Sequence, residues 1–368
     1  MAQTEQDSAP ALYISSQGTV TAAWIGADKT GIHHDIRQNF AETVVLPLPP
    51  VFPYAQTLYS ASVDDTIHLL WLDADYQQRD DPLAGNTTYL FAAYISANLT
   101  LQRGPTRISN LDTLHYAAVP ISDGGLWTAW SGGVAAEPEL YAQRIDNSGR
   151  PLAAQRIALN ADFPVLARID DSRLLLFWTQ PTTGTIYRAQ LLEGVAQDIT
   201  AVSHAPQLAA GDRLVNVSAG SDRTHAYLLW NITRADGHAE TWWASGAFEA
   251  NQWAEPQRLG MATTEEPFVT GFNGGSGVVA AAGESWLSWT APLNGQFDTF
   301  SAAVWDGTQL GVLYWQAGGI IGYQAVAPVD LLIGAPTLTT NRDRHLYLAW
   351  AYPSAAGYAD LLLTSTHP

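Results

Sequence analysis

The 368-residue chain contains 35 acidic and 17 basic residues, which give a formal net charge of −18, and it has no cysteine. Nucleic acids and anionic membrane surfaces attract basic proteins, so this charge excludes both as favoured partners, and the lack of cysteine excludes disulfides and thiolate metal sites. Only 14% of the residues are charged, and 30 Gly and 20 Pro are typical of many short strands joined by turns.

The N-terminal segment, residues 1–10, has neither the charged nor the apolar region of a signal peptide. It resembles the start of a mature or trimmed chain, so we expect an extracellular, periplasmic or cell-surface protein. No apolar run approaches the ~20 residues of a membrane helix, and we therefore expect no direct membrane insertion. We also expect a monomer.

One short strand recurs along the whole chain and ends in tryptophan each time. The repeats lie 47 to 61 residues apart, at residues 19–24, 66–71, 125–130, 172–178, 225–230, 285–289 and 345–350. This period is close to the ~40–50 residues of a propeller blade. The repeated tryptophans are apolar and bulky, and we expect them to pack between blades rather than to contact a ligand.

Each unit contains the pattern of four strands. Before Trp178, an inner strand at 166–169 leads through a turn to the tryptophan strand, and a third strand follows at 185–190. Fourth strands follow the third in other units, as at 154–158. Four strands per unit predict an all-β fold, a seven-bladed β-propeller of four-stranded antiparallel blades, in one domain over residues 1–368.

The number of blades and the closure of the ring depend on how the last third of the chain is divided into strands. The stretch 311–315 also ends in tryptophan and would give eight blades, but it follows Trp289 too closely for a complete extra unit. We therefore interpret 318–332 as an insertion. The last unit stops at its third strand, so the segment before Tyr13 is expected to supply the missing strand and close the ring.

The third strand Glu139-Leu140-Tyr141-Ala142, a Gly-containing hairpin and the pattern Pro-x-Arg-Ile-Ser, as at 105–109, resemble the BNR-type repeats of sialidase-like bacterial β-propellers. The resemblance implies a propeller fold and a sialidase-like activity. The Asp-box pattern Ser-x-Asp-x-Gly-x-Thr-Trp is absent, and no arginine triad, Tyr/Glu pair or acid/base Asp can be placed on particular residues. No catalytic residue is therefore transferred.

The loops after the tryptophan strands share one face of a propeller, and the longest of them, residues 72–87, is acidic. Oxygen-rich loops of this kind bind calcium, although Gln78 and Ala84 exclude an EF-hand. A solvated acidic loop without metal is the alternative. A structural Ca²⁺ is the one cofactor considered, and its candidate ligands are the four acids Asp73, Asp75, Asp80 and Asp81.

Candidate ligand-binding residues lie in the long, charged loops after Trp71 and Trp230. They are Asp73, Asp75, Arg79, Asp81, Arg234 and His238.

An acid also begins the third strand of five units, at Asp35, Glu139, Glu240, Asp298 and Asp360. These acids would form a ring of carboxylates or, as their repetition favours, close their own loops.

Two functions remain open. The first is a non-catalytic extracytoplasmic recognition propeller that binds a glycan or a protein on the loop face. The alternative is a sialidase-like glycoside hydrolase, which needs two carboxyl groups such as the i, i+2 pairs Glu137 and Glu139 or Asp73 and Asp75. Because no catalytic set is apparent, the sequence favours recognition over catalysis.

Overall fold

The structure is a computed structural model, and it describes residues 3–4, 10–15, 19–26, 31–35, 43–48, 56–63, 66–74, 87–121, 123–168, 173–192, 195–202, 208–221, 225–236, 239–247, 252–258, 285–288, 300–305, 309–316, 319–329, 333–340, 346–353 and 359–366. Every regular element within these ranges is a β-strand. Nowhere in them does a helix occur that is long and apolar enough to cross a membrane.

The strands are numbered along the chain, beginning with β1 (Gln3–Thr4), and are grouped into blades. Blade 1 is β2 (Ala11–Ile14), β3 (Val20–Ile25), β4 (Ile32–Asp35) and β5 (Thr43–Val45). Blade 2 is β6 (Gln56–Val63), β7 (Thr66–Asp73), β8 (Tyr89–Ser96) and β9 (Leu101–Arg107). Blade 3 is β10 (Thr113–Pro120), β11 (Leu126–Gly132), β12 (Glu139–Ile145) and β13 (Gln155–Leu159). Blade 4 is β14 (Asp162–Arg168), β15 (Leu174–Gln180), β16 (Thr185–Leu192) and β17 (Val195–Ala201).

The remaining strands complete the ring. Blade 5 is β18 (Arg213–Ser221), β19 (His225–Thr233), β20 (Ala239–Ala247), β21 (Gln252–Trp253) and β22 (Gln257–Arg258). Blade 6 is β23 (Ser285–Ser288), β24 (Phe300–Trp305), β25 (Gln309–Gln316) and β26 (Gly319–Pro328). Blade 7 is β27 (Ile333–Thr340), β28 (Leu346–Pro353) and β29 (Ala359–Thr366) together with β1.

The described residues form seven sheets, which are antiparallel and follow one another around a ring. The first described strand of each blade contacts that of the next, in the order β2, β6, β10, β14, β18, β23, β27 and back to β2. The N-terminal strand closes the ring, because Gln3 pairs with Asp360 and Thr4 with Ala359 on β29. The predicted all-β propeller with four-stranded antiparallel blades, and its closure by the N-terminal segment, are confirmed.

One expectation about the last third of the chain is wrong. Residues 318–332 were expected to be an insertion, but Gly319–Pro328 forms β26, which pairs with β25 along its length. The glycines at 319 and 322 favour a loop in sequence, yet a strand tolerates glycine where a neighbouring strand supplies the hydrogen bonds. The stretch 311–315 lies within β25, in the same sheet, and so does not begin another blade.

The tryptophan strands are buried on both faces because each blade is covered by its two neighbours. Every described residue of β3, β11 and the first six of β15 is buried. Trp289 lies outside the described residues, and the other six repeated tryptophans are at most 5% exposed: Trp24, Trp71, Trp130, Trp178, Trp230 and Trp350. Their predicted role in packing between blades is confirmed for these six.

Three of these tryptophans stack on an aromatic side chain directly opposite on the third strand. Trp71 faces Phe91, Trp130 faces Tyr141, and Trp178 faces Tyr187 in the strand register. The ring centroids are 6.1, 5.7 and 5.8 Å apart, with nearly parallel planes. This cross-strand pair recurs in blades 2, 3 and 4.

A buried histidine joins blades 2 and 3 at the edge opposite the loops that follow the tryptophans. His68 is 2% exposed, and its Nε2–H donates to the carbonyl of Gly124 over 3.0 Å. Its ring also meets Tyr94 edge-on, with centroids 4.8 Å apart. Burial lowers the pKa of His68 to about 4, although the bond to Gly124 acts in the opposite direction.

This histidine makes stability depend on pH. The folded pKa lies below the unfolded value of ~6.5, so the neutral form is favoured in the fold and stability is lost as pH falls below 6.5. Between pH 8 and pH 5 this histidine accounts for about 2 kcal/mol of lost stability. In H68Q, urea unfolding at the two pH values should show a difference smaller by that amount. Identical pH dependence in both proteins would contradict this assignment.

Candidate functional site

One edge of the ring carries the starts of the first and third strands and the ends of the tryptophan strands. In blade 3 the register places Gly132, the end of β11, opposite both Thr113 at the start of β10 and Glu139 at the start of β12. We call this edge the loop face. Asp73, Asp162, Arg234 and Glu240 all lie on it, in blades 2, 4 and 5.

Of the residues predicted in the acidic loop, only Asp73 is described. It is fully buried and accepts hydrogen bonds from Trp71 Nε1, at 3.3 Å, and from the backbone N–H of Ala74, at 2.8 Å. Its carboxylate therefore fixes the end of β7. Asp75, Arg79, Asp80 and Asp81 lie outside the described residues, as does His238.

The calcium site remains a prediction. Within the described ranges no three histidine or acidic side chains converge as a metal site would require. Three of the four proposed calcium ligands fall outside those ranges.

Two of the acids that begin third strands, Glu139 and Glu240, bond side chains of their own strand. Glu139 accepts a hydrogen bond from the hydroxyl of Tyr141, and Glu240 accepts one from Trp242 Nε1 over 2.9 Å. Residues two apart on a strand point to the same side, which places each acid beside its aromatic partner. Asp298 and the side chain of Asp35 lie outside the described part of the chain.

Arg234, predicted from sequence as a binding residue, forms the centre of a cluster at the loop face of blade 5. Its Nε and Nη2 donate to Glu240 Oε2 over 2.9 and 2.5 Å, and its Nη1 donates to Asp212 Oδ2 over 2.7 Å. Asp212 precedes β18, Arg234 follows β19, and Glu240 lies at the start of β20, so three strand ends meet here. We call Asp212, Arg234, Glu240 and Trp242 the Arg234 cluster.

All charged groups of the Arg234 cluster are ionised at neutral pH. Burial raises the pKa of Glu240, but the bonds from Arg234 and Trp242 outweigh it and hold the pKa below its ordinary value. The backbone N–H of Ala209 and the Arg234 guanidinium lower the pKa of Asp212. The bond to Glu240 raises the pKa of Arg234. Two carboxylates against one guanidinium leave the cluster with one net negative charge.

The Arg234 cluster keeps hydrogen-bonding capacity at the surface. The guanidinium has five N–H donors and uses three of them on Glu240 and Asp212, so two have no partner among the described residues. Oε2 of Glu240 accepts all three of its bonds, and Oε1 accepts none from the described part of the chain. The side chains of Arg234 and Glu240 are 27% and 15% exposed, beside the half-buried indole of Trp242.

A second polar cluster joins blades 3 and 4 on the same face, closer to the ring axis. His115 Nδ1 lies 2.8 Å from Asp162 Oδ1, and that same oxygen accepts a hydrogen bond from the hydroxyl of Ser131. These bonds and that of the Phe163 backbone offset the effect of burial, which raises the pKa of Asp162, and the net result is a lowered pKa. We call His115, Ser131, Asp162 and Phe163 the Asp162 cluster.

The Asp162 cluster contains the residue types of a serine-hydrolase triad without its geometry. A triad needs the serine hydroxyl on Nε2 of the histidine, whereas Ser131 bonds the carboxylate. Ser131 is also fully buried, so its hydroxyl cannot attack a substrate. The cluster is therefore not a Ser-His-Asp catalytic triad.

The Asp162 cluster was not predicted from the sequence. One signal for it was present: the residue after the repeated tryptophan is apolar in blades 1, 2 and 7 but polar in the other four, at Ser131, Thr179, Asn231 and Thr290. The first three are at most 1% exposed, and Thr290 lies outside the described residues. A buried polar residue that interrupts a structural repeat indicates a partner or a function at that point.

No family model matches the chain, and no curated protein matches it in sequence. Among solved structures, an α-L-arabinofuranosidase, Arb93A from Fusarium graminearum in complex with an iminosugar inhibitor, is similar with a TM-score of 0.54 at 11% identity, over 90% of this chain and 98% of the enzyme. The Aleuria aurantia lectin in complex with Fucα1-6GlcNAc is similar with a TM-score of 0.52 at 9% identity, over 89% of this chain and 97% of the lectin.

A Hadza microbial sialidase, Hz136, matches with a lower TM-score of 0.47 at 13% identity, over 87% of this chain and 65% of that one. At these identities the first two similarities establish the propeller fold, which the resemblance to sialidase-like repeats implied. The BNR-type repeat itself stays a prediction.

Proposed function

We propose that this protein is an extracytoplasmic propeller that binds a neutral glycan on its loop face without cleaving it. The observation that carries the proposal is the Arg234 cluster, in which an arginine, a carboxylate and an indole are fixed side by side at the surface. Binding sites commonly combine an aromatic surface with a few precisely held polar groups.

The unused hydrogen-bond donors and acceptor of this cluster match two neighbouring sugar hydroxyls. A hydroxyl group both donates and accepts, so one hydroxyl can accept from the guanidinium of Arg234 while its neighbour donates to Oε1 of Glu240. Trp242 packs partly against the core, and the part of its indole that stays exposed offers an apolar surface to the C–H groups of a sugar ring. Because the partners of Arg234 and Glu240 hold them in place, little side-chain entropy is lost on binding.

The charge of the site favours a neutral sugar over an acidic one. Arg234 is already neutralised by Asp212 and Glu240, so it offers no uncompensated positive charge to a sugar carboxylate. The chain as a whole carries a formal charge of −18, which repels anionic glycans over longer distances.

The titration behaviour of the site argues against hydrolysis. A glycosidase needs a general acid whose pKa is raised, so that it is protonated at working pH. In the described part of the loop face, Asp162, Asp212 and Glu240 all have lowered pKa values. Three permanent anions suit the acceptance of hydrogen bonds from sugar hydroxyls.

A glycan array, read together with a panel of fluorogenic glycosides, tests the proposal. We expect saturable binding of neutral glycans, weaker binding of their sialylated counterparts, and no turnover of any glycoside. Turnover that disappears in E240Q would replace the proposal with glycoside hydrolysis. Absence of binding across the array, together with saturable binding of a protein, would replace the glycan with a protein ligand.

A further inference from the structure

Phe163 has a backbone conformation that bulky residues avoid. Its φ angle is 51°, in the left-handed region that favours glycine. Such strain persists only where surrounding interactions enforce it, and it concentrates at binding sites. Here the backbone N–H of Phe163 donates to Asp162 Oδ1 over 2.8 Å, which fixes the turn at the start of β14.

The enforced conformation places the Phe163 ring against His115. The two ring centroids are 4.2 Å apart, with an angle of 31° between the planes. Phe163 is partly exposed, and the side chain of His115 is 19% exposed. Since β10 and β14 are the first strands of their blades, this aromatic pair lies on the axis side of the loop face.

His115 and Asp162 also offer hydrogen-bonding groups beside the Phe163 ring. The carboxylate of Asp162 can only accept, so Nδ1 of His115 donates to it, and Nε2 is the ring nitrogen left to face a ligand. Nε2 has no hydrogen-bond partner among the described residues. The bonds from His115, Ser131 and Phe163 all go to Oδ1 of Asp162, and Oδ2 accepts no hydrogen bond from the described residues.

We propose that Phe163, His115 and Asp162 form a second sugar subsite near the axis, which takes another unit of the neutral glycan. The ring of Phe163 stacks on the C–H face of the sugar, and Nε2 of His115 forms a hydrogen bond with a hydroxyl beside that face. This inference rests on the proposed glycan binding and adds a subsite in blades 3 and 4 to the Arg234 cluster in blade 5.

Variants of Phe163 separate a binding role from a structural one. F163G removes the ring and relieves the strained φ angle, and F163Y keeps the ring. D198G is the matched control, because Asp198 also has a positive φ, of 53°, but lies on the outer strand β17. Probes are methyl α-L-fucoside, methyl β-D-galactoside and methyl β-D-glucoside, titrated by ligand-observed NMR, with thermal unfolding recorded for each variant.

We expect F163G to bind the strongest of these probes about tenfold more weakly than the wild type. Its unfolding temperature should be unchanged or higher, because glycine adopts the left-handed conformation without strain. F163Y and D198G should bind as the wild type does. If F163G bound as tightly as the wild type, the subsite would be overturned and the proposed function would stand. The same would follow if F163G lost affinity and also unfolded at a lower temperature. If the wild type bound none of the three probes, the subsite would be overturned, whereas the proposed function is overturned only by the glycan array.

Discussion

Replacing Trp130 by alanine is expected to destabilise the protein by about 3–5 kcal/mol, the cost of removing a large aromatic side chain from a packed core. Trp130 is fully buried between blades 2 and 3, where it stacks on Tyr141 and packs among residues of both blades. Neither neighbouring blade can move in to fill the space without disturbing its own sheet. Urea unfolding followed by tryptophan fluorescence or circular dichroism measures the loss.

Two milder variants show which part of the tryptophan matters. The indole N–H of Trp130 has no hydrogen-bond partner among the described residues, whereas that of Trp71 donates to the buried carboxylate of Asp73. W130F therefore loses ring volume only, and W71F loses the same volume and also deprives Asp73 of a donor, at an additional cost of about 1–3 kcal/mol. Equal destabilisation by W71F and W130F would show that the bond to Asp73 contributes nothing.

The architecture could be predicted because its packing repeats. Every blade needs a bulky apolar residue at the same place, so the tryptophans at 24, 71, 130, 178, 230 and 350 occur at blade-sized intervals. Closure by the N-terminal segment followed from the missing strand of the last unit, and the pairing of Gln3 with Asp360 bears it out. The strand Gly319–Pro328 was missed because its glycines resemble a loop when its partner β25 is not considered.

The site was predictable only where single residues indicate it. Arg234 stood out as a charged residue in a long loop after Trp230, and the structure places it at the centre of a cluster. The partnership of His115 with Asp162 depends on how blades 3 and 4 lie against each other, which no local pattern encodes. The positive φ of Phe163 is equally invisible, because nothing in its residue type favours the left-handed conformation.

Replacing Arg234 by lysine should lower the affinity for the best neutral glycan of the array by about 30-fold, or about 2 kcal/mol. Lysine keeps the positive charge between Asp212 and Glu240 but cannot bond both carboxylates in one plane and still present two donors to a ligand. R213K is the matched control, because Arg213 is exposed and lies next to Asp212. Isothermal titration calorimetry of the two variants against the wild type gives the comparison.

An arginine that only positioned Glu240 would produce a different pattern from one that contacts the sugar. If Arg234 only positioned Glu240, R234K and E240Q would each weaken binding, and the double variant R234K/E240Q would bind no more weakly than the worse of the two. Direct contact by both side chains predicts that the double variant loses more than either single one. Because the pKa of Glu240 is lowered, its carboxylate stays ionised from pH 8 to 5, and the wild-type affinity should be constant over that range. Unaltered affinity in R234K would remove the Arg234 cluster from the site and with it the observation that carries the proposed function.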